Sequence, residues 1–203
     1  MPPRSKPSRS RRFQRPSGSR PYRKIFHIAV EGAETERQYF AVVRTLRPTV
    51  QLNVLHTDQK SAPLNVLKRM KNHLKDNPVK FNDEAWIVSD RDEWDEEHLN
   101  RIQQWSRTNE KYGFAVSNPA FEYWLLLHFE GGKGVRNKRV CIERLRQHMP
   151  EYDKHIDTRR ITLERIVDAI QRAKCRDNPP CDGWPRSCGA TTVYKLIKNI
   201  IQD

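Results

Sequence analysis

No apolar run in these 203 residues approaches the ~20 needed to cross a bilayer as a helix. The N-terminus also lacks the apolar segment that a secretory signal requires, so the chain reads as cytoplasmic with no membrane partner. Cysteine is scarce and unpatterned: Cys141, Cys175, Cys181 and Cys188 include no C-x-x-C pair. A zinc site from Cys175, Cys181 and Cys188 with His148 or His155 would have the wrong spacing for the common kinds. Reduced thiols are the plainer reading. Internal repeats are absent. Hydrophobic residues make up only 36% of the chain. That is low, yet enough at this length for one domain with additions.

Acid is missing from one end. Residues 1–24 hold nine of the 38 basic residues and no Asp or Glu. The other 29 basic residues face 25 acids, so the body carries only +4 of the net +13. Pro, Ser and Arg dominate this arm, and such a segment buries too little apolar surface to offset its ordering entropy. Residues 1–23 therefore read as a disordered basic arm, with Arg9, Arg11, Arg12, Arg15 and Arg20 as candidate phosphate contacts. A merely solubilising tail is the alternative.

What is present centres on Ala85–Glu93, AWIVSDRDE. An apolar run that breaks into acid reads as a buried strand of a parallel sheet, covered on both faces. In open α/β sheets, ligands bind just beyond the carboxyl ends of the strands. Asp90 and Asp92 fall there. In extended chain, residues two apart point to one side about 6–7 Å apart at the Cα. Two carboxylates so placed can hold a hard divalent cation. The competing reading is a helix N-terminus, where Asp92, Glu93, Asp95, Glu96 and Glu97 would suit the positive end of the dipole.

A second strand end has the same character. Lys24–Val30 reads as a strand closed by Glu31-Gly32, followed by a helix that Thr35 can cap and Pro48 ends. Gly32 permits a sharp turn or a close backbone approach. Glu31 then lies on the same rim as Asp90, or is a solvated turn residue. Further strands are expected at Val50–Leu55 and Gly113–Val116, with helices through Leu64–Leu74 and Glu96–Asn109. Pro119–Phe129, PAFEYWLLLHF, is the most apolar run and reads as a helix with Pro119 in its first turn. Glu122 falls among its bulky residues, where a carboxylate must be paired, solvated or functional. His128 reads as a core histidine or as a ligand. Beyond the glycine-rich loop at 131–134 only helices are expected: Lys138–His148, Thr162–Lys174, and a last one capped by Thr191.

Strand–Glu-Gly–helix followed by strand–Asp-x-Asp, within alternating β/α units, resembles the Toprim domain. The motifs are VEGAETE (Val30–Glu36) and VSDRDE (Val88–Glu93). With SNPAFEYWLLLHF (Ser117–Phe129) the resemblance narrows to the RloB-like family, Toprim proteins associated with abortive infection in bacteria. It runs over about Lys24–Phe129. It implies a four-stranded parallel α/β sheet flanked by helices over 24–130, and a helical extension over 131–203. By the same resemblance Glu31 is a general acid/base or metal-associated residue, and Asp90 and Asp92 bind Mg²⁺, or Mn²⁺ in its place. Glu34, Glu93, Asn118, Glu122 and His128 are expected in support. Ala33 stands where many relatives carry lysine. The implied activity is metal-dependent nuclease action on DNA or RNA, tRNA included, as a toxic antiphage effector gated by an ABC-type ATPase. The alternative is a non-catalytic nucleic-acid-binding or adaptor subunit.

Overall fold

The computed structural model describes residues 23–56, 62–91 and 94–202. Arg9, Arg11, Arg12, Arg15 and Arg20 of the basic arm, Asp92 and Glu93 lie outside them. Five segments pair into one sheet: β1 (Ile25–Val30), β2 (Gln51–Leu55), β3 (Glu84–Asp90), β4 (Tyr112–Asn118) and β5 (Ala190–Thr191). Their order is β2-β1-β3-β4-β5. The first four are parallel, and β5 pairs antiparallel with the end of β4. The architecture is the expected Toprim-like α/β one, with one strand more than the four anticipated. The apolar runs of β1 and β3 are buried almost throughout, as strands covered on both faces must be.

Each face has its own core. Phe26, Ile28, Val30 and Val88 pack against Tyr39, Phe40 and Val43 of α1 (Thr35–Leu46). The same cluster takes in α4 (Phe121–Leu126), α5 (Lys138–His148), α6 (Leu163–Arg176) and α7 (Val193–Gln202). On the opposite face Ala29, Ile87 and Val116 meet Val66 and Met70 of α2 (Pro63–Asp76) and Leu99 and Ile102 of α3 (Glu96–Ser106). The C-terminal segment is thus helical as expected, but it also lends a strand to the sheet and shares its core. Thr192 fastens it: its Oγ1 accepts from the Val116 amide at 2.9 Å.

Two local expectations need correction. Thr35 does not cap α1; it is the first helical residue, and its hydroxyl donates to the Lys154 carbonyl at 3.1 Å. The apolar run after Pro119 is not helical throughout. Pro119 precedes the helix, Ala120 is the N-cap, and α4 ends at Leu126. The reason lies with His128. Its ring Nδ1 donates to the Trp124 carbonyl at 3.0 Å, the acceptor a continuing helix would have given to the His128 amide. That amide bonds instead to Leu125, three residues back. Among the described residues no helix is long and apolar enough to cross a membrane.

Candidate active site

β1 and β3 are neighbours in register, Val30 opposite Val88, so their carboxyl ends emerge side by side. Glu31 follows β1 and is 2% exposed. One carboxylate oxygen accepts from the Ser89 hydroxyl at 2.6 Å and the Asp90 amide at 3.2 Å. The other accepts from the Trp94 indole at 2.7 Å. Three donors therefore fix the orientation of the Glu31 carboxylate against the end of β3. Asp90 closes β3; its Oδ1 accepts from the Phe121 amide at 2.8 Å, and its Oδ2 lies 4.0 Å from the Lys138 ammonium.

Two further carboxylates join them. Glu36, in the first turn of α1, accepts from the Gly32 amide at 3.0 Å. A Cβ at Gly32 would stand 1.9 Å from a Glu36 oxygen, so the glycine is there for close approach. Glu122, in the first turn of α4, accepts from the Lys154 ammonium at 2.8 Å and the Tyr152 hydroxyl at 3.1 Å. Glu31, Glu36, Asp90 and Glu122 line one cavity of about 240 Å³, with Glu34, Lys138 and Lys154 also on its wall.

The electrostatics follow from crowding acids where water is scarce. Burial raises the proton affinity of Asp90 well above the carboxylate norm, reinforced by Glu36, Glu31 and Glu122 and only partly relieved by Lys138. Burial, with Glu122 and Glu31 adding to it, pushes Glu36 up to about 7 against its backbone hydrogen bonds. Glu122 goes the other way: burial would raise it, but the Lys154 ammonium, helped by Lys138, holds it below the usual range.

Of the remaining expected residues among those described, only Glu34 reaches the cavity. Glu34 is on the cavity wall, its carboxylate 3.7 Å from the His155 ring. Asn118 donates to the Pro185 and Arg186 carbonyls and accepts from the Gly189 amide, which pins the 177–189 loop to β4. His128 sits in the core between the Tyr39 hydroxyl, 3.3 Å from Nε2, and the Trp124 carbonyl. Burial pulls its pKa down to about 4, as for a neutral core imidazole. Cys141, Cys175, Cys181 and Cys188 are all unpaired, and none lines the cavity. Sequence reasoning passed over Glu36, Lys138 and Lys154. Glu36 was legible, because a glycine four residues before a first-turn acid can leave room for it. The lysines were not, since 48 and 32 residues of chain separate them from Asp90 and Glu122 respectively.

The donors are all hard carboxylate oxygens, a set that suits Mg²⁺ or Mn²⁺ over zinc. Mutual repulsion among buried acids is the charge a divalent cation would neutralise. Among the described residues no group of three or more His, Cys, Asp or Glu side chains is placed to hold a metal ion. A family model described as RloB-like protein matches residues 26–200. The chain belongs to the RloB-like family. That match in this RloB-like chain continues past Phe129 through the C-terminal helices, in keeping with their place in the shared core. No curated protein and no solved structure matches the chain.

Proposed function

We propose that this protein is a metal-dependent nuclease that hydrolyses phosphodiesters of DNA or RNA, as the toxic effector of an antiphage system gated by an ABC-type ATPase. One observation carries the reading: four buried carboxylates from the ends of β1 and β3 and the first turns of α1 and α4 converge on one cavity. A fold gains no stability from crowding like charges in a poorly hydrated place. The family membership agrees with it.

Asp90 and Glu31 would hold Mg²⁺, joined by Asp92 outside the described residues. The ion, when bound, would neutralise phosphate charge and lower the pKa of an attacking water. The protein's own part is orientation. Ser89, Trp94 and the Asp90 amide aim Glu31; the Phe121 amide aims Asp90; Lys154 and Tyr152 hold Glu122 in place. Glu31 keeps the family's acid/base or metal-associated role, and Glu36 is added to the acid set.

The test has two arms. Labelled DNA and RNA, tRNA included, are incubated with the purified protein and Mg²⁺ or Mn²⁺, with and without the proposed ABC-type ATPase partner. Metal-dependent cleavage that fails in Asp90→Asn and Glu31→Gln is expected. Independently, Mg²⁺ titrated without substrate should raise the melting temperature of the parent, and raise it less in Asp90→Asn. Cleavage indifferent to substitution at every one of these acids would leave the adaptor role instead.

A further inference from the structure

The cavity has a cationic side that the family motifs do not include. Lys138 opens α5, and Lys154 lies on the loop between α5 and α6. Among the described residues they are the only Lys or Arg on the cavity wall. Their surroundings differ from those of the acids they face. The Lys138 and Lys154 side chains are 30% and 52% exposed, against 11% for Asp90 and 3% for Glu122. The acids form the floor and the ammonium groups stand at the mouth.

Lys154 is also held in an unusual backbone state. Its φ is +68°, the left-handed region that favours glycine and is uncommon for other residues. Its carbonyl accepts from the Thr35 hydroxyl at 3.1 Å and from the Gln38 amide at 3.4 Å. Both donors belong to α1, the helix that carries Glu36. A lysine kept where glycine would sit more easily implies a use for its side chain.

We propose that Lys138 and Lys154 form the anion-binding half of this site and together hold the phosphate of a phosphodiester over the carboxylate floor. The proposal rests on the nuclease reading for its anion; the placement of the two lysines at the mouth does not. Chemistry requires such a half. A phosphodiester is an anion, and a cavity of acids alone would repel it before any cation was shared. Three donors per ammonium let Lys154 keep its Glu122 contact while others reach a phosphate oxygen. Both lysines then touch substrate, whereas Thr35 and Gln38 are positioning residues that act through the Lys154 backbone.

The experiment uses the full chain and the smallest phosphodiesters, thymidylyl-thymidine and uridylyl-uridine, whose single phosphate reports directly by ³¹P NMR titration. Ca²⁺ and EDTA conditions are run in parallel. Lys138→Met and Lys154→Gly each remove an ammonium. The glycine suits the φ at 154, so that variant is expected to fold. Each should weaken dinucleotide binding roughly tenfold, the scale of one charged hydrogen bond, with Lys→Arg at the same position recovering most of it. Folded variants that bind within twofold of the parent would overturn the proposal, and so would a parent that binds neither dinucleotide. A lysine that only neutralised buried acids would move the melting temperature and leave this affinity alone. Cleavage kinetics separate the two ideas. A parent that cleaves, with KM and kcat unchanged in both lysine variants, removes this proposal and keeps the nuclease. Lysine-dependent binding by a parent that cleaves nothing keeps the anion site and removes the nuclease.

Discussion

Glu36 sits where burial and neighbouring acids oppose its charge while the Gly32 amide favours it, and the first two prevail. Its folded pKa of about 7 lies above the 4.5 of a free glutamate. The stability linked to its proton is therefore fully present below pH 4.5 and is lost as pH rises to 7. Glu36→Gln keeps an acceptor for Gly32 and removes the charge. It should match the parent near pH 4.5 and be more stable above pH 7, by about 3 kcal/mol if the whole shift is recovered. Thermal melts across that range check it. His128 has the opposite sign. Its pKa is depressed to about 4, so its contribution is present above pH 6.5 and lost on acidification towards 4, again about 3 kcal/mol. His128→Gln should flatten the acid side of the stability profile. A third expectation separates roles within the acid set. Asp90→Asn should lose metal affinity and be partly rescued by excess Mg²⁺. Glu31→Gln should resist rescue if Glu31 moves a proton, and recover fully if it only holds metal.

The C-terminal helices lie outside the stretch that carries the Toprim-like motifs, yet they supply the same core. Leu196, Ile197 and Ile200 of α7 are fully buried in the same core cluster as Phe26 and Ile28 of β1. Ile200→Ala should therefore cost about 2–5 kcal/mol, as for any large core deletion, measured by chemical denaturation. A change within about 0.5 kcal/mol would mean that α7 is a loosely held appendage. The boundaries of α5 were plain in the sequence, from Lys138 to His148, because its apolar positions keep helical spacing. So were the rims: an apolar strand that breaks into Glu31 or Asp90 announces its own carboxyl end. The short helix α4 was less legible, because its end depends on which donor claims the Trp124 carbonyl. β5 was hidden altogether. Two residues, Ala190 and Thr191, show no periodicity, and only pairing with Ser117 and Asn118 makes them a strand. The same holds for the site. Acids on strand ends can be read from patterning, while Lys138 and Lys154 enter it through tertiary packing.

Charge is distributed unevenly over the molecule, with nine basic residues and no acid in the first 24. Deleting residues 1–20 should weaken nucleic-acid binding and lower its salt dependence while leaving the melting temperature almost unchanged. An unaltered salt slope would reduce the arm to a solubility tail. The folded body has its own order of assembly, written in how far apart its site residues lie. Thr35 bonds to a carbonyl 119 residues later, and Glu122 to an ammonium 32 residues later. A chain growing on the ribosome at about 5–20 residues per second has all four buried cavity acids seconds before it has Lys154, and longer still before β5 completes the sheet and α7 the core. Any fragment ending before Lys138 carries the acids with neither lysine. On the proposed nuclease reading, a chain still lacking Lys138 and Lys154 lacks its proposed anion side, so nascent and prematurely terminated copies would be inert.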